Sequence, residues 1–369
     1  MKIIYAVSSL GLGHASRSLI IIKTLAKKNE IILVSNGNAL KLLKEELVQY
    51  DNIKFLELQD YPPILRGRGG TLYYYYLMQD CLKILFLIIK EYFFVNKLLK
   101  EQKTDLIFSD CRYGFHSKEI PSVLLTHMPR FLVPKELSFL QKVLDQFSKI
   151  IFSKFNLILI PDFEDKDKNL SGELSHNNIL KNLPHKYIGI LSAYKKKKTK
   201  KDIDYYFITS GYLKENKEEF IKRLIEKTKK LKGKKVLILG ENEKFYKKID
   251  KRNNLEIYSF VSGKLKNDLM NRSKIVFSRT GYTTIMDLIE LDKKGILNPT
   301  PNQTEQEYLA KYLDLKGYFL NLDFSNDFDL EKITKWNNSK VFKTSKKTKD
   351  SLILIENLLN ELVKKQNQY

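Results

Sequence analysis

Lys2 to Val7 is a short apolar run that stops at Ser8-Ser9-Leu10-Gly11-Leu12-Gly13-His14, and apolar positions return at helical spacing from Ala15 to Ala26. The pattern predicts strand, tight loop, helix. It recurs along the first half: strand at Glu30–Val34, helix at Ala39–Val48, then strands at Ile53–Leu58, Asp105–Ser109 and Ser122–Thr126. It restarts further on, with strands at Tyr205–Thr209, Lys235–Leu239, Leu255–Phe260, Lys274–Ser278 and Lys294–Leu297, and helices beginning at Glu215 and Tyr282. Strands alternating with helices imply parallel, doubly wound sheets, so the expected fold class is α/β with two Rossmann-like domains.

Between the two series lies Lys195-Lys196-Lys197-Lys198-Thr199-Lys200-Lys201, a charged stretch with nothing to bury. It divides the chain into a domain over 1–192, a Lys-rich linker over 193–203, a second domain over 204–345 and a closing helix over 346–369. That helix, amphipathic over Ser351–Val363 with Leu352, Leu354, Ile355, Leu358, Leu359 and Leu362 on a broad face, is expected to bridge the domains or cross back to the first. At 369 residues the chain exceeds what one core usually supports, which agrees with two domains. No short tandem repeat argues for a solenoid or propeller.

The balance of 43% hydrophobic and 29% charged residues is that of a globular protein. Cys81 and Cys111 have no metal or redox spacing, and the first residues enter a strand with no signal-peptide core; a cytoplasmic protein is expected. The apolar stretch Ile84–Ile89 ends at lysines and is far short of the ~20 residues a spanning helix needs. A formal charge of +22 implies attraction to anions: nucleic acid, an anionic lipid surface or phosphate-bearing substrates. The charge is spread over both halves with no nucleic-acid module, which disfavours nucleic acid.

Thr71–Lys100 is expected to be one long helix, carrying Tyr73–Tyr76, Phe86, Tyr92, Phe93 and Phe94 among Leu and Ile, with lysines at 83, 90, 97 and 100. Core packing is the first reading of its aromatics; the alternative is a basic, aromatic face resting on anionic lipid. The preceding Arg66-Gly67-Arg68-Gly69-Gly70 is either a plain turn or a contact for a phosphate-bearing lipid carrier.

The loops after the strands carry the candidate chemistry. Gly11 and Gly13 allow a ligand close to the backbone at a helix start. The loop is not a dinucleotide fingerprint, because Arg17 stands where the third glycine belongs. His14 is either a helix-end residue or a general base, and His127 and Asp110, which also follow strands of the first domain, compete with it for that role. In the second domain Ser278-Arg279-Thr280-Gly281-Tyr282-Thr283-Thr284 sets hydroxyls and a glycine between strand and helix, suited to a diphosphate. Asp287 lies a turn and a half into that helix, within reach of ribose hydroxyls. Thr300–Gln306 offers amides and a carboxylate for sugar hydroxyls.

Three segments, Gly-Leu-Gly-His-Ala-Ser-Arg-Ser at 11–18, Ser-Arg-Thr-Gly-Tyr-Thr-Thr-Ile-Met-Asp at 278–287 and Pro-Thr-Pro-Asn-Gln-Thr-Glu-Gln-Glu at 299–307, resemble in this order the MurG-like GT-B glycosyltransferases. The resemblance implies two Rossmann-like domains facing a cleft and transfer of a hexosyl or N-acetylhexosaminyl group from a UDP-sugar. It further implies no metal or other cofactor and inversion by a single displacement. The acceptor is expected to be lipid-linked, a glycan or a surface-polymer precursor, and the basic excess with the Thr71–Lys100 stretch suggests peripheral association with the inner face of the cytoplasmic membrane. The resemblance assigns the diphosphate to Ser210, Gly211, Thr280, Gly281 and Tyr282, the uracil to the backbone near Val261, ribose to Asp287, and the sugar to Glu305 and Gln306, with Arg279 among the donor-binding residues. Asp287 stands where the family motif has Glu, and Glu305 where it often has Gln. A UDP-sugar hydrolase or 2-epimerase on the same fold is the alternative.

Overall fold

The alternating apolar runs build two seven-stranded sheets, one in each of two units: residues 1–193 with 346–369, and residues 194–345. The computed structural model describes residues 1–62, 71–133, 135–209, 217–240, 245–261, 263–301, 303–323, 329–337 and 341–366, without the side chains of 71–77, 135, 217, 218, 220, 330 and 337.

The first sheet consists of β1 (Lys2–Val7), β2 (Glu30–Ser35), β3 (Ile53–Glu57), β4 (Leu106–Asp110), β5 (Ser122–Leu125), β6 (Leu157–Ile160) and β7 (His185–Tyr187). Its order is β3-β2-β1-β4-β5-β6-β7, all parallel. Its helices are α1 (Leu12–Leu25), α2 (Gly37–Glu46), α3 (Thr71–Glu101) and α4 (Gln141–Phe152). Because side chains alternate along a strand, Ile4, Ala6 and Ile107 pack with Val95 and Leu98 of α3. Leu124, Ile158 and Ile160, on the same face by register, pack with Phe152 of α4. Tyr5, Phe108 and Asp110 point to the other face; Tyr5 stacks on Phe108 with centroids 4.5 Å apart and donates a hydrogen bond to Ser18 of α1. The chain between Met128 and Ser192, for which the pattern suggests no elements, supplies α4, β6 and β7; β6 and β7, of four and three residues, are too short to show a period, whereas α4 carries Val143, Leu144, Phe147, Ile150 and Ile151 at helical spacing.

The aromatic run of α3 is not wholly core. Leu87, Val95 and Leu98 are buried, whereas Met78, Leu82, Phe86 and Phe93 are more than 60% exposed. On α4 and the turn before it Phe139, Val143 and Ile150 are exposed likewise. Both helices lie on one face of the sheet, and both turn an apolar stripe away from it. The Arg66–Gly70 loop and the side chains of Tyr73–Tyr76 lie outside the described residues.

The second sheet consists of β8 (Ile203–Ile208), β9 (Lys235–Ile238), β10 (Lys247–Asp250), β11 (Leu255–Tyr258), β12 (Ser273–Arg279), β13 (Lys294–Asn298) and β14 (Leu320–Asn321). Its order is β10-β11-β9-β8-β12-β13-β14, parallel except where β10 runs against β11. The helices are α5 (Lys217–Lys229), α6 (Gly263–Arg272), α7 (Tyr282–Glu290), α8 (Thr304–Leu315) and α9 (Leu330–Asn337). A Cβ on Gly295 of β13 would come within 2.5 Å of Leu288 and 2.9 Å of Phe319, so the missing side chain lets α7 seat closely on the sheet. The Lys-rich stretch does bury polar groups: Asn267 and Asn271 of α6 accept from the amides of Lys195 and Lys197 at 3.0 and 2.8 Å, and Asn271 donates to the Lys195 carbonyl. Side-chain amides pin this backbone, which hydrophobic patterning does not register.

The last helix, α10 (Thr348–Gln366), returns to the first unit. Ser351, Ile355, Leu359 and Val363 form its buried stripe, narrower than the six-residue face expected, and Leu354 is exposed.

Candidate active site

In an open parallel sheet the place where strand order reverses leaves a crevice outside the carboxyl ends of two strands. In the first unit that reversal lies between β1 and β4. The loop after β1 turns at Gly11, whose φ of 92° only glycine adopts readily, and α1 starts at Leu12. His14 and Arg17, three residues apart, then share one helix face. Pairing of Val7 with Asp110 brings the end of β4 level with that loop. Asp60 ties the loop down, its Oδ2 accepting from Ser8 Oγ at 3.0 Å and from the Ser9 amide.

Asp110 has no solvent exposure and accepts four hydrogen bonds. Oδ2 takes Arg17 Nε at 2.9 Å and Ser18 Oγ at 2.7 Å; Oδ1 faces His14 Nδ1 at 2.9 Å and takes Arg17 Nη2. Burial would raise its carboxyl pKa, but the charges of Arg17 and His14 and these bonds hold it well below the usual carboxylate range. Burial and Arg17 act against a charge on His14; Asp110 outweighs both and raises His14 to about 9. Arg17 is itself buried and reaches His127 with Nη1, 3.1 Å from Nδ1, and Cys111 with Nη2, 3.4 Å from Sγ. Cys111 has a φ of 56°, a strained value for a non-glycine, in the turn that leaves Asp110.

The structure thus gathers His14, Asp110 and His127, three separate candidates in the sequence, around one residue the sequence reading did not single out. The available signal was an arginine inside the apolar, small-residue stretch of a helix, where a buried charge needs a partner. Potential ligand atoms of His14, Asp110 and Cys111 lie within 4.8 Å of one another. The guanidinium already bonds to two of them and supplies the positive charge the carboxylate requires.

In the second unit the order reverses between β8 and β12. Ser278 pairs with Ile208 and Arg279 with Asn298, so the loops after β8, β12 and β13 share one edge. Gly281 is extended at the start of α7, and Thr280 and Tyr282 beside it are buried. The Ser278 and Thr280 hydroxyls are buried without a hydrogen-bond partner, each a cost of about 1–3 kcal/mol. Arg279 Nη1 donates to the Pro299 carbonyl at 3.1 Å, joining two of the loops. Asp287 is 7% exposed in α7, and its charge raises the pKa of Tyr194, which burial already pushes up. Gln306 is engaged within its own loop: Oε1 accepts from the Thr300 amide at 2.9 Å and Nε2 donates to Gln303. Glu305 is half-buried at the start of α8, and Val261 is half-buried beyond β11. Ser210 and Gly211 lie outside the described residues.

Two family models match: the glycosyltransferase family 28 C-terminal domain over residues 215–352, and glycosyl transferase family 1 over residues 1–62. Among curated proteins none matches the chain. Solved structures similar to it include CalG4, the calicheamicin glycosyltransferase (TM-score 0.62, 11% identity, 98% of this chain and 94% of that one). The spinosyn rhamnosyltransferase SpnG complexed with thymidine diphosphate is another (0.60, 12%, 98% and 97%), as is the glycosyltransferase SnogD from Streptomyces nogalater (0.59, 11%, 100% and 98%). The chain has the GT-B fold, and the family matches at its two ends support membership of the glycosyltransferase superfamily.

Proposed function

We propose that the chain transfers a sugar from a UDP-sugar held by the second unit to a hydroxyl of a lipid-linked or glycan acceptor, with His14 as general base. The observation that carries this reading is the His14–Asp110 pair at the switch point of the first sheet. With Nδ1–H donated to Asp110, Nε2 is left to accept the acceptor's proton. As that proton leaves, the acceptor oxygen bonds to the anomeric carbon, and the bond from that carbon to the diphosphate breaks with its electron pair going to UDP. One displacement inverts the centre. Asp110, with every lone-pair position occupied, suits holding the imidazole rather than taking a proton.

For the donor, the start of α7 and the Ser278 and Thr280 hydroxyls fit a phosphate: a helix start favours an anion, and the two buried hydroxyls are donors that otherwise find no acceptor. Asp287 is assigned to ribose and Glu305 to the sugar. Thermal-shift measurements against UDP, GDP, dTDP and their sugars test the site: UDP at a hundred times its Kd stabilises the protein by about 2.7 kcal/mol. Asp287→Ala is expected to remove most of that shift with little change in the ligand-free transition. No response to any nucleotide, or an unchanged response in the variant, counts against the assignment. UDP release without an acceptor would redirect the reading to hydrolysis.

The exposed stripes of α3 and α4 fit an anionic lipid surface, since lysines at 83, 90, 142 and 149 flank them and the chain carries +22. Among the described residues no helix is long and apolar enough to cross a membrane. Co-sedimentation with phosphatidylglycerol vesicles at low salt is expected to exceed that with phosphatidylcholine vesicles several-fold. Phe86→Ser with Phe93→Ser should abolish the difference. Equal binding to both vesicles removes the membrane assignment.

A further inference from the structure

We infer that Arg17 is a positioning residue that fixes opposite tautomers on the two histidines beside it, making His127 a hydrogen-bond donor at Nε2 and leaving His14 as the base of the cluster. The inference deepens the reading above and rests on it for the word base; the tautomers themselves do not.

Hydrogen positions on a histidine are usually ambiguous, because either ring nitrogen can donate or accept. Arginine removes the ambiguity: it has five N–H donors, no acceptor, and stays protonated. Arg17 is 1% exposed and its Nη1 lies 3.1 Å from His127 Nδ1. That nitrogen must accept, so the ring is neutral and its one proton sits on Nε2. Whatever His127 meets at Nε2 has to offer an acceptor: a hydroxyl, phosphoryl or carbonyl oxygen. His127 cannot remove a proton there.

The same guanidinium works in the opposite sense on His14. Its Nε and Nη2 deliver protons to the two oxygens of Asp110, and Nη2 has a second acceptor in Cys111 Sγ. Asp110 Oδ1 keeps a place for a further donor, and His14 Nδ1 stands 2.9 Å from it. Nη2 also lies 2.9 Å from His14 Nδ1, so two arrangements compete. In one, Nδ1 donates to Asp110; in the other, Nδ1 accepts from Arg17 and the basic nitrogen is spent. A buried carboxylate as neighbour decides for the first, since a carboxylate is a far stronger acceptor for the Nδ1 proton than a thiol or imidazole is for the Arg17 proton. The charged groups facing His14 are Arg17 from its own helix and Asp110 from the end of β4, with the Cys111 thiol in the turn that follows.

The test is nitrogen-15 NMR on the full chain with labelled histidine, whose five imidazoles are assigned by His14→Gln and His127→Gln. His127 is expected as the pure Nε2–H tautomer. His14 is expected as imidazolium at neutral pH, retaining Nδ1–H when it titrates near 9. An Nδ1–H, mixed or charged His127, or a neutral His14 with its proton on Nε2, overturns the inference. These measurements need neither substrate nor a variant of Arg17, so they stand or fall apart from the transfer reaction. Arg17→Lys, which keeps the charge but not the fork, should leave His127 a mixture of tautomers. A pure Nε2–H His127 in that variant would show that Arg17 does not set it.

Discussion

Replacing His14 with alanine is expected to lower kcat about 10²–10⁴-fold, the usual contribution of a positioned general base, while UDP still raises the thermal transition as in the wild type. The two readouts separate chemistry from folding, because the residues proposed for the donor belong to the other sheet. A pH profile sharpens the expectation. Burial and Arg17 resist protonation of His14, Asp110 favours it more strongly, and the balance leaves it charged at neutral pH with a pKa of about 9. Only the neutral ring can take a proton, so kcat/KM of the wild type should rise with pH and level off near 9. The alanine variant should lose that limb. Stability runs the other way: a histidine whose folded pKa is raised contributes fully below its ordinary value near 6.5, and the contribution is lost as pH rises through about 9. Activity that survives in the alanine variant with its pH limb intact would place the base elsewhere.

Asp110→Ala is the second large effect, and it falls first on stability. The substitution strands the Arg17 guanidinium in a site with almost no solvent, and removing one partner of a buried ion pair costs about 3–5 kcal/mol. The loss should be visible as a lower urea midpoint. Asp110→Asn keeps the shape and can still accept from Arg17 and Ser18, so it should destabilise less while depriving His14 of its charged partner. Its His14 pKa should fall, because the largest force raising it is gone. An asparagine variant with an unchanged histidine titration would mean that the 2.9 Å contact does not govern His14.

Much of the fold is legible in the chain. The strands at Lys2–Val7 and Lys294–Leu297 and the long helix from Thr71 show as apolar runs of the right length and period, and the structure places β1, β13 and α3 there. Alternation of the two kinds implies parallel sheets, and parallel sheets put functional loops at carboxyl ends. Strands escaped where they are short: β6 has four residues, and β14 two. The sequence leaves the outward stripe of α3 as the second of two readings, because an apolar residue looks the same in a core and on a surface that awaits a partner. Tertiary packing alone separates Val95, which is buried, from Phe93, which is not.

For the candidate site the division is similar. The glycine turn at Gly11, the helix start that follows, and the candidate roles of His14, Asp110 and His127 are present in sequence, because local conformation and residue chemistry are local properties. What the sequence leaves open is distance. His14, Asp110 and His127 are separated by up to 113 positions, and only the order β1-β4-β5 at the sheet centre draws them onto one guanidinium. Periodicity determines that Arg17 lies on α1; the pairing of Val7 with Asp110 determines that a carboxylate waits beneath it, and so which side chains share a proton.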